Sequence, residues 1–330
     1  MPDTKTKGQA WFQRLRGDII DHIPGPVVFA LASPYLAGTT GSTAIEFAHQ
    51  QYQQAKMSST LDILGESSIT AEQCDQAVDK YLNLLDEVYA NPLPVNMPMQ
   101  QISVSLKPST FSTTTPSFPG NNALQSELDD AYSRIESIAV HAQKLGINIT
   151  IEAEEHTWTD FQLDCYFSLV QKGYLNLGTV LQSRLFRTEQ DIKKFDEKMR
   201  VRLVIGIYDE SKTIALTDKK DMKHKLAEYG FGLAERGTYV EFATHDAGCI
   251  EQFVRKAVIP LRLTKQKFEF QFLKGVPRQQ LQTELVSGGA TVRLYVPFGE
   301  PKSAAAYCKR RLKENPSIIL YGLKNLLHLQ

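Results

Sequence analysis

The chain has 330 residues, 42% of them hydrophobic, enough for one large single-core domain or for a domain with an appendage. Its 37 basic residues balance 37 acidic ones, so bulk charge gives no case for nucleic acid or an anionic membrane surface as a partner. Cys74, Cys165, Cys249 and Cys308 lie far apart with no CxxC and no ligand-like spacing to histidine, which predicts reduced thiols and neither a zinc site nor a disulfide framework.

In chain order, residues 1–50 are helix-prone but interrupted by turn signals at IPGP and AGTTGS, and read as an N-terminal helical arm. The most apolar early run, PVVFALASPYLAG, is short, contains a proline and follows no basic leader, so no integral membrane segment is expected and the protein is expected to be cytoplasmic. From residue 51 to 330 the pattern becomes regular. The strand-length runs SSTLDIL, QISVSL, INITIEA, LGTVLQS, VRLVIG, TYVEFAT, KFEFQFL and TVRLYV alternate with amphipathic stretches of helix length. TAEQCDQAVDKYLNLLDEVYA opens with Thr70 and Gln73 as a capping box. ALQSELDDAYSRIESIAVHAQKLG stops at Gly146, and TDFQLDCYFSLVQKG follows the third strand. The Ser/Thr/Pro-rich segment 109–123 fits neither element and reads as a long loop. This alternation predicts an α/β fold, a (β/α)8 barrel of the TIM type; a doubly wound open sheet would give much the same pattern.

A barrel gathers its active site at the C-terminal ends of its strands. Reading those ends gives Glu66, Lys107, Glu152, Gln182, Thr244 with His245, Gln271 and Tyr295, although any one of them could simply mark where a strand leaves the core. Arg202 precedes its apolar run, and spacing alone does not fix its direction. The set is rich in Lys, Arg and His and suits an anionic or electron-rich ligand. Neither GxGxxG nor GxxxxGK occurs, so a nicotinamide Rossmann site and a P-loop are unsupported. Near the C-terminus, Tyr307, Arg310, Arg311 and Glu314 stand at i, i+3, i+4 and i+7 of a helix. The adjacent arginines read equally as a solvated basic helix end or as a bidentate clamp for a carboxylate.

The blocks LDILGESSIT, VSLKPS, IEAEEHTWTDFQLD, VLQSRLFRT, RLVIGIYDE, EFATHD, FEFQFLKG, RLYVPFGE and YCKRRLKEN occur in that order over most of the chain. In this order they resemble the signature blocks of the proline dehydrogenases, flavin enzymes that oxidise L-proline to 1-pyrroline-5-carboxylate. The resemblance implies a distorted (β/α)8 barrel with FAD at the C-terminal ends of its strands and the last helix laid over the flavin. It implies that Lys107, Arg310 and Arg311 bind the substrate carboxylate, that Glu66 holds one arginine in position, and that Tyr208 and Tyr295 pack around the proline ring. Glu152 and Arg202 become the catalytic pair, with Arg202 against the flavin near N5. Ala153, Gln182, Ile205, Gly206, Ile207, Thr244, His245, Gln271 and Glu314 become FAD contacts. A quinone-type electron acceptor, peripheral visits to a membrane and coupling to a separate pyrroline-5-carboxylate dehydrogenase follow from the same resemblance.

The chain departs from the usual family pattern at Ile205, commonly lysine, at the bulkier Ile207, at Glu152, commonly aspartate, and at Arg184, commonly tyrosine. These changes keep two other readings open: a related flavin dehydrogenase for another cyclic imino acid such as hydroxyproline, or a ligand-binding barrel with weakened flavin binding.

Overall fold

The computed structural model describes residues 33–65, 68, 70–116, 122–301, 303–304 and 309. Eight parallel strands close into a barrel in sequence order. They are β1 (Ser58–Ile63), β2 (Ser103–Leu106), β3 (Ile149–Ile151), β4 (Leu177–Gln182), β5 (Arg200–Val204), β6 (Tyr239–Ala243), β7 (Phe268–Leu273) and β8 (Val292–Phe298). All eight expected strands are present, and β8 pairs with β1 to close the ring, which decides for the barrel over the open sheet. The helices are α1 (Gly41–Ala55), α2 (Ala71–Ala90), α3 (Asn122–Lys144), α4 (Thr159–Gln171), α5 (Thr188–Asp191), α6 (Lys219–Glu235), α7 (Ala247–Phe253) and α8 (Gln279–Ser287).

Local chemistry sets the element ends as the sequence predicts. Thr70 accepts from the Gln73 amide while the Gln73 side chain accepts from the Thr70 amide, so the capping box that starts α2 is complete. Beyond α3, Gly146 takes φ 68°, a left-handed conformation that costs other residues more. An equivalent box at Thr40 and Thr43 opens α1, which runs through residue 50, where the sequence suggested the arm ends, and packs against β1. The start of the expected long loop is ordered: Pro108–Phe111 form a 3-10 turn, and Ser109 donates from its amide and its hydroxyl to Glu154 at 2.8 and 2.6 Å.

Successive strand residues point to opposite faces, and here the two faces are chemically opposite. The face turned towards the helices carries Leu61, Val104, Ile149, Leu203, Val240, Phe270 and Val292, packed with Leu85, Ile135, Tyr166, Leu226 and Phe253 from the helices. Phe242 stacks on Phe253 with ring centroids 4.4 Å apart. Each such side chain contributes about 1.5–3 kcal/mol when fully buried, so this shell carries the fold. The inside of the barrel is instead filled by Thr60, Asp62, Ser103, Ser105, Thr150, Arg200, Arg202, Glu241, Glu269, Gln271 and Arg293, all buried. TIM barrels usually fill that space with branched aliphatic side chains; here hydrogen bonds and ion pairs take their place.

Candidate active site

Arg202 is central. It lies in the middle of β5, not at its start, and the period of two that sends Leu203 outward sends Arg202 inward. Its guanidinium crosses the barrel to Ser105 on β2, pairs with Glu152 just past β3, and has its Nε 3.4 Å from the Glu241 carboxylate on β6. Burial opposes the charge, but Glu152, Glu241 and Tyr295 outweigh it and raise the pKa further, so Arg202 is a permanent cation. The guanidinium carbon stands 5.1 Å from the centre of the Tyr295 ring on β8, a cation–π geometry that fixes the ring across the lumen.

Lys107, the first residue after β2, donates to Asp62 of β1 at 2.6 Å, and both are buried. Asp62, the partner of Lys107, is not among the strand-end residues because it precedes the end of its strand. Gln182 ends β4 and donates to the Glu154 carbonyl at 2.9 Å, linking the β3 and β4 exits to the Ser109 turn. Ala153 is half-buried between Glu152 and Glu154.

After β5 the backbone turns at Gly206 with φ 97°. A Cβ there would come within 2.5 Å of Gln182 Oε1 and 2.8 Å of Arg184 Cδ, so this position is closed to any side chain. Ile205 is half-buried against the core, Ile207 is exposed, and Tyr208 gives its carbonyl to Arg184 Nη1. At the β6 exit, Thr244 Oγ1 accepts from the Asp246 amide at 3.2 Å, and His245 Nε2 accepts from the Leu273 amide at 3.4 Å. Gln271, within β7, donates to both Glu241 and Glu269, so its amide nitrogen serves the interior network. Glu66, Arg310, Arg311 and Glu314 lie outside the described residues.

Beneath this mouth a second set of charges is closed on itself. Arg200 pairs with Glu241 and donates to Thr150 Oγ1 and the Ile149 and Asn176 carbonyls. Arg293 pairs with Glu269 at 2.6 Å and donates to the carbonyls of Ser59, Gln101 and Met99. Burial pushes the Glu241 carboxyl up, but Arg200, Arg202 and Arg293 outweigh it and hold the group at about 2. Of this network only Arg202 and Gln271 stand out in the sequence; Arg200, Glu241, Glu269 and Arg293 do not, though the alternation in RVRLV, YVEFA, FEFQF and VRLYV carries the signal.

The arrangement sets an aromatic wall, Tyr295, over a fixed guanidinium, Arg202, with Lys107 at another strand exit and a glycine turn packed on Gln182 and Arg184 at one edge. The family model described as proline dehydrogenase matches residues 45–319. The chain belongs to the proline dehydrogenase family. It is 29% identical to the proline dehydrogenase of Deinococcus radiodurans over 93% of this chain and 94% of that one. It is also 29% identical to proline dehydrogenase 2 of Bacillus subtilis over 89% of this chain and 90% of that protein. Among solved structures, the proline utilization A (PutA) protein from Bdellovibrio bacteriovorus inactivated by N-propargylglycine superposes with a TM-score of 0.77 at 21% identity. That match covers 86% of this chain and 32% of the other, so this proline dehydrogenase family member spans about a third of the PutA chain, and the likeness is one of fold.

Proposed function

We propose that this protein oxidises L-proline to 1-pyrroline-5-carboxylate, the first step of proline catabolism, with FAD as cofactor. The observation that carries this reading is the inward Arg202, paired with Glu152 and facing the Tyr295 ring, in a chain matched by the family model over residues 45–319. The residues present fit a flavin. The Nε groups of Arg202 and Arg184 are buried with no hydrogen-bond partner among the described residues, and such guanidinium donors suit the oxygen and nitrogen edge of an isoalloxazine. When bound, FAD supplies the acceptor, at N5, for the hydride that leaves proline C5.

The chain's own residues do the rest. Lys107, joined by Arg310 and Arg311, takes the substrate carboxylate, and Asp62 fixes the ammonium so that the ring is oriented before reaction. Tyr295 forms one wall of the ring site and Tyr208 another. Arg202 presents positive charge where negative charge develops, and Glu152 holds it there without needing to reorganise. Thr244, His245, Ala153, Ile205, Ile207, Gln271 and Glu314 complete the cofactor set in this reading. Tyr295, anchored by Arg202, fills the space a 4-hydroxyl would need, which favours proline over hydroxyproline. In the same reading residues 1–50 are an arm and 51–330 the catalytic barrel, a quinone-type acceptor takes the electrons at a membrane surface, and a separate dehydrogenase consumes the product. Among the described residues no helix is long and apolar enough to cross a membrane.

Anaerobic addition of L-proline to the FAD-loaded protein is expected to bleach the yellow flavin absorbance. Absorbance that persists with FAD bound would overturn the reading. Comparison of kcat/KM for proline, hydroxyproline and pipecolate then tests the choice of ring.

A further inference from the structure

The buried arginines of the barrel follow one rule with one exception. Arg200, Arg202 and Arg293 each pair with a buried carboxylate. Arg184, two residues past β4 and only 8% exposed, pairs with none among the described residues. Its Nη1 donates to the Tyr208 carbonyl, while its Nε is buried with no acceptor among the described residues. Backbone bonds hold it rigidly, since its amide donates to Ile205 O at 3.1 Å and its carbonyl accepts from the Leu216 amide at 2.7 Å. Its stem lies where a side chain on Gly206 would go, next to Gln182 Oε1. A buried cation held by a carbonyl, with no carboxylate among the described residues beside it, is costly, and the cost falls when an anion is brought to it.

We propose that Arg184 is a cofactor-binding residue whose guanidinium neutralises an anionic oxygen of bound FAD. The inference rests on the reading of the mouth as an FAD site. The oxygen belongs either to the pyrophosphate, charged at all times, or to the isoalloxazine edge, which becomes negative as electrons arrive. Both present oxygen acceptors suited to the N–H groups of a guanidinium.

The test uses full-length apoprotein titrated with FAD and with riboflavin, together with the midpoint potential of the bound flavin, in wild type, Arg184→Met and Arg184→Lys. The Met variant is expected to bind oxidised FAD about tenfold more weakly or to hold a flavin of lower midpoint potential. The Lys variant, which keeps the charge, recovers most of either effect. A pyrophosphate contact weakens FAD and leaves riboflavin unchanged; an isoalloxazine contact lowers the potential. Should the Met variant fail to fold, Arg184→Gln, which keeps an amide donor and loses the charge, carries the same comparison. A wild type that takes up no FAD overturns both this inference and the function it rests on. A wild type that binds FAD, beside a charge-free variant with unaltered affinity and potential, overturns this inference alone.

Discussion

The two ends of the barrel lumen use the same side chains to opposite effect. At the closed end, Arg200 and Arg293 each donate to a carboxylate, a hydroxyl and main-chain carbonyls. At the open end, Arg202 joins Glu152, Ser105 and Glu241 across the lumen, Lys107 pairs with Asp62, and Arg184 meets no carboxylate among the described residues. The closed end matches its guanidiniums with carboxylates, whereas the open end keeps a buried guanidinium, Arg184, whose Nε has no acceptor among the described residues.

Arg293→Met should break the closed end most severely. It strands Glu269 in the core, and a loss of about 3–5 kcal/mol in unfolding free energy is expected by denaturant titration, with kcat/KM of the folded fraction within about threefold of wild type. A variant that loses activity without losing stability would erase the proposed division between the two ends. Glu241→Gln sits on the boundary, since Glu241 serves Arg200 below and Arg202 above. Its folded pKa of about 2 is below the ordinary glutamate value of about 4.3, so the stability it contributes is fully present above that value and is lost as pH falls towards about 2. The Gln variant should be less stable by about 3 kcal/mol at neutral pH and show a shallower loss between those two values, measured by thermal melts across pH.

At the open end, Lys107→Gln should lower kcat/KM for proline about a hundredfold, chiefly through KM, with a smaller change in melting temperature than Arg293→Met produces. Equal losses of stability in the two variants would count against the comparison. The smallest effect is expected outside the lumen, at Asp246. This residue caps α7 through the Cys249 amide at 2.9 Å and pairs with Lys223 at 2.5 Å, which together with that cap holds its carboxyl below the usual range. Both side chains are partly exposed, so Asp246→Asn should cost about 1 kcal/mol or less, a contribution that wild type itself loses as pH falls through the depressed value.

Much of this was legible before any coordinates. The strand runs, the α2 capping box and the Gly146 stop are local signals, and local physics realises them. Lys107, Glu152 and Gln182 stand out because each lies at a strand exit and is polar. Asp62, Glu241, Glu269 and Arg293 do not stand out in the sequence because each sits within a strand, where the apolar run masks the polar alternate residues. Direction was the missing quantity for Arg202: RVRLV sends Val201 and Leu203 to one face, which leaves both arginines for the other. Which carboxylate meets which arginine is set by barrel closure between distant strands, and no spacing along the chain encodes that.

The side chains that cross the lumen act like the spokes of a wheel. Arg202 braces β5 against β2, Arg293 braces β8 against the β2 entrance, and Arg200 braces β5 against β3. An aliphatic filling resists compression from all sides, but a spoke has a length, and it sets the distance between two particular points on the rim. The separation of Lys107 from Tyr295 is therefore governed most by the spoke at their own level, Arg202, while Arg200 and Arg293 set the distances at the closed end.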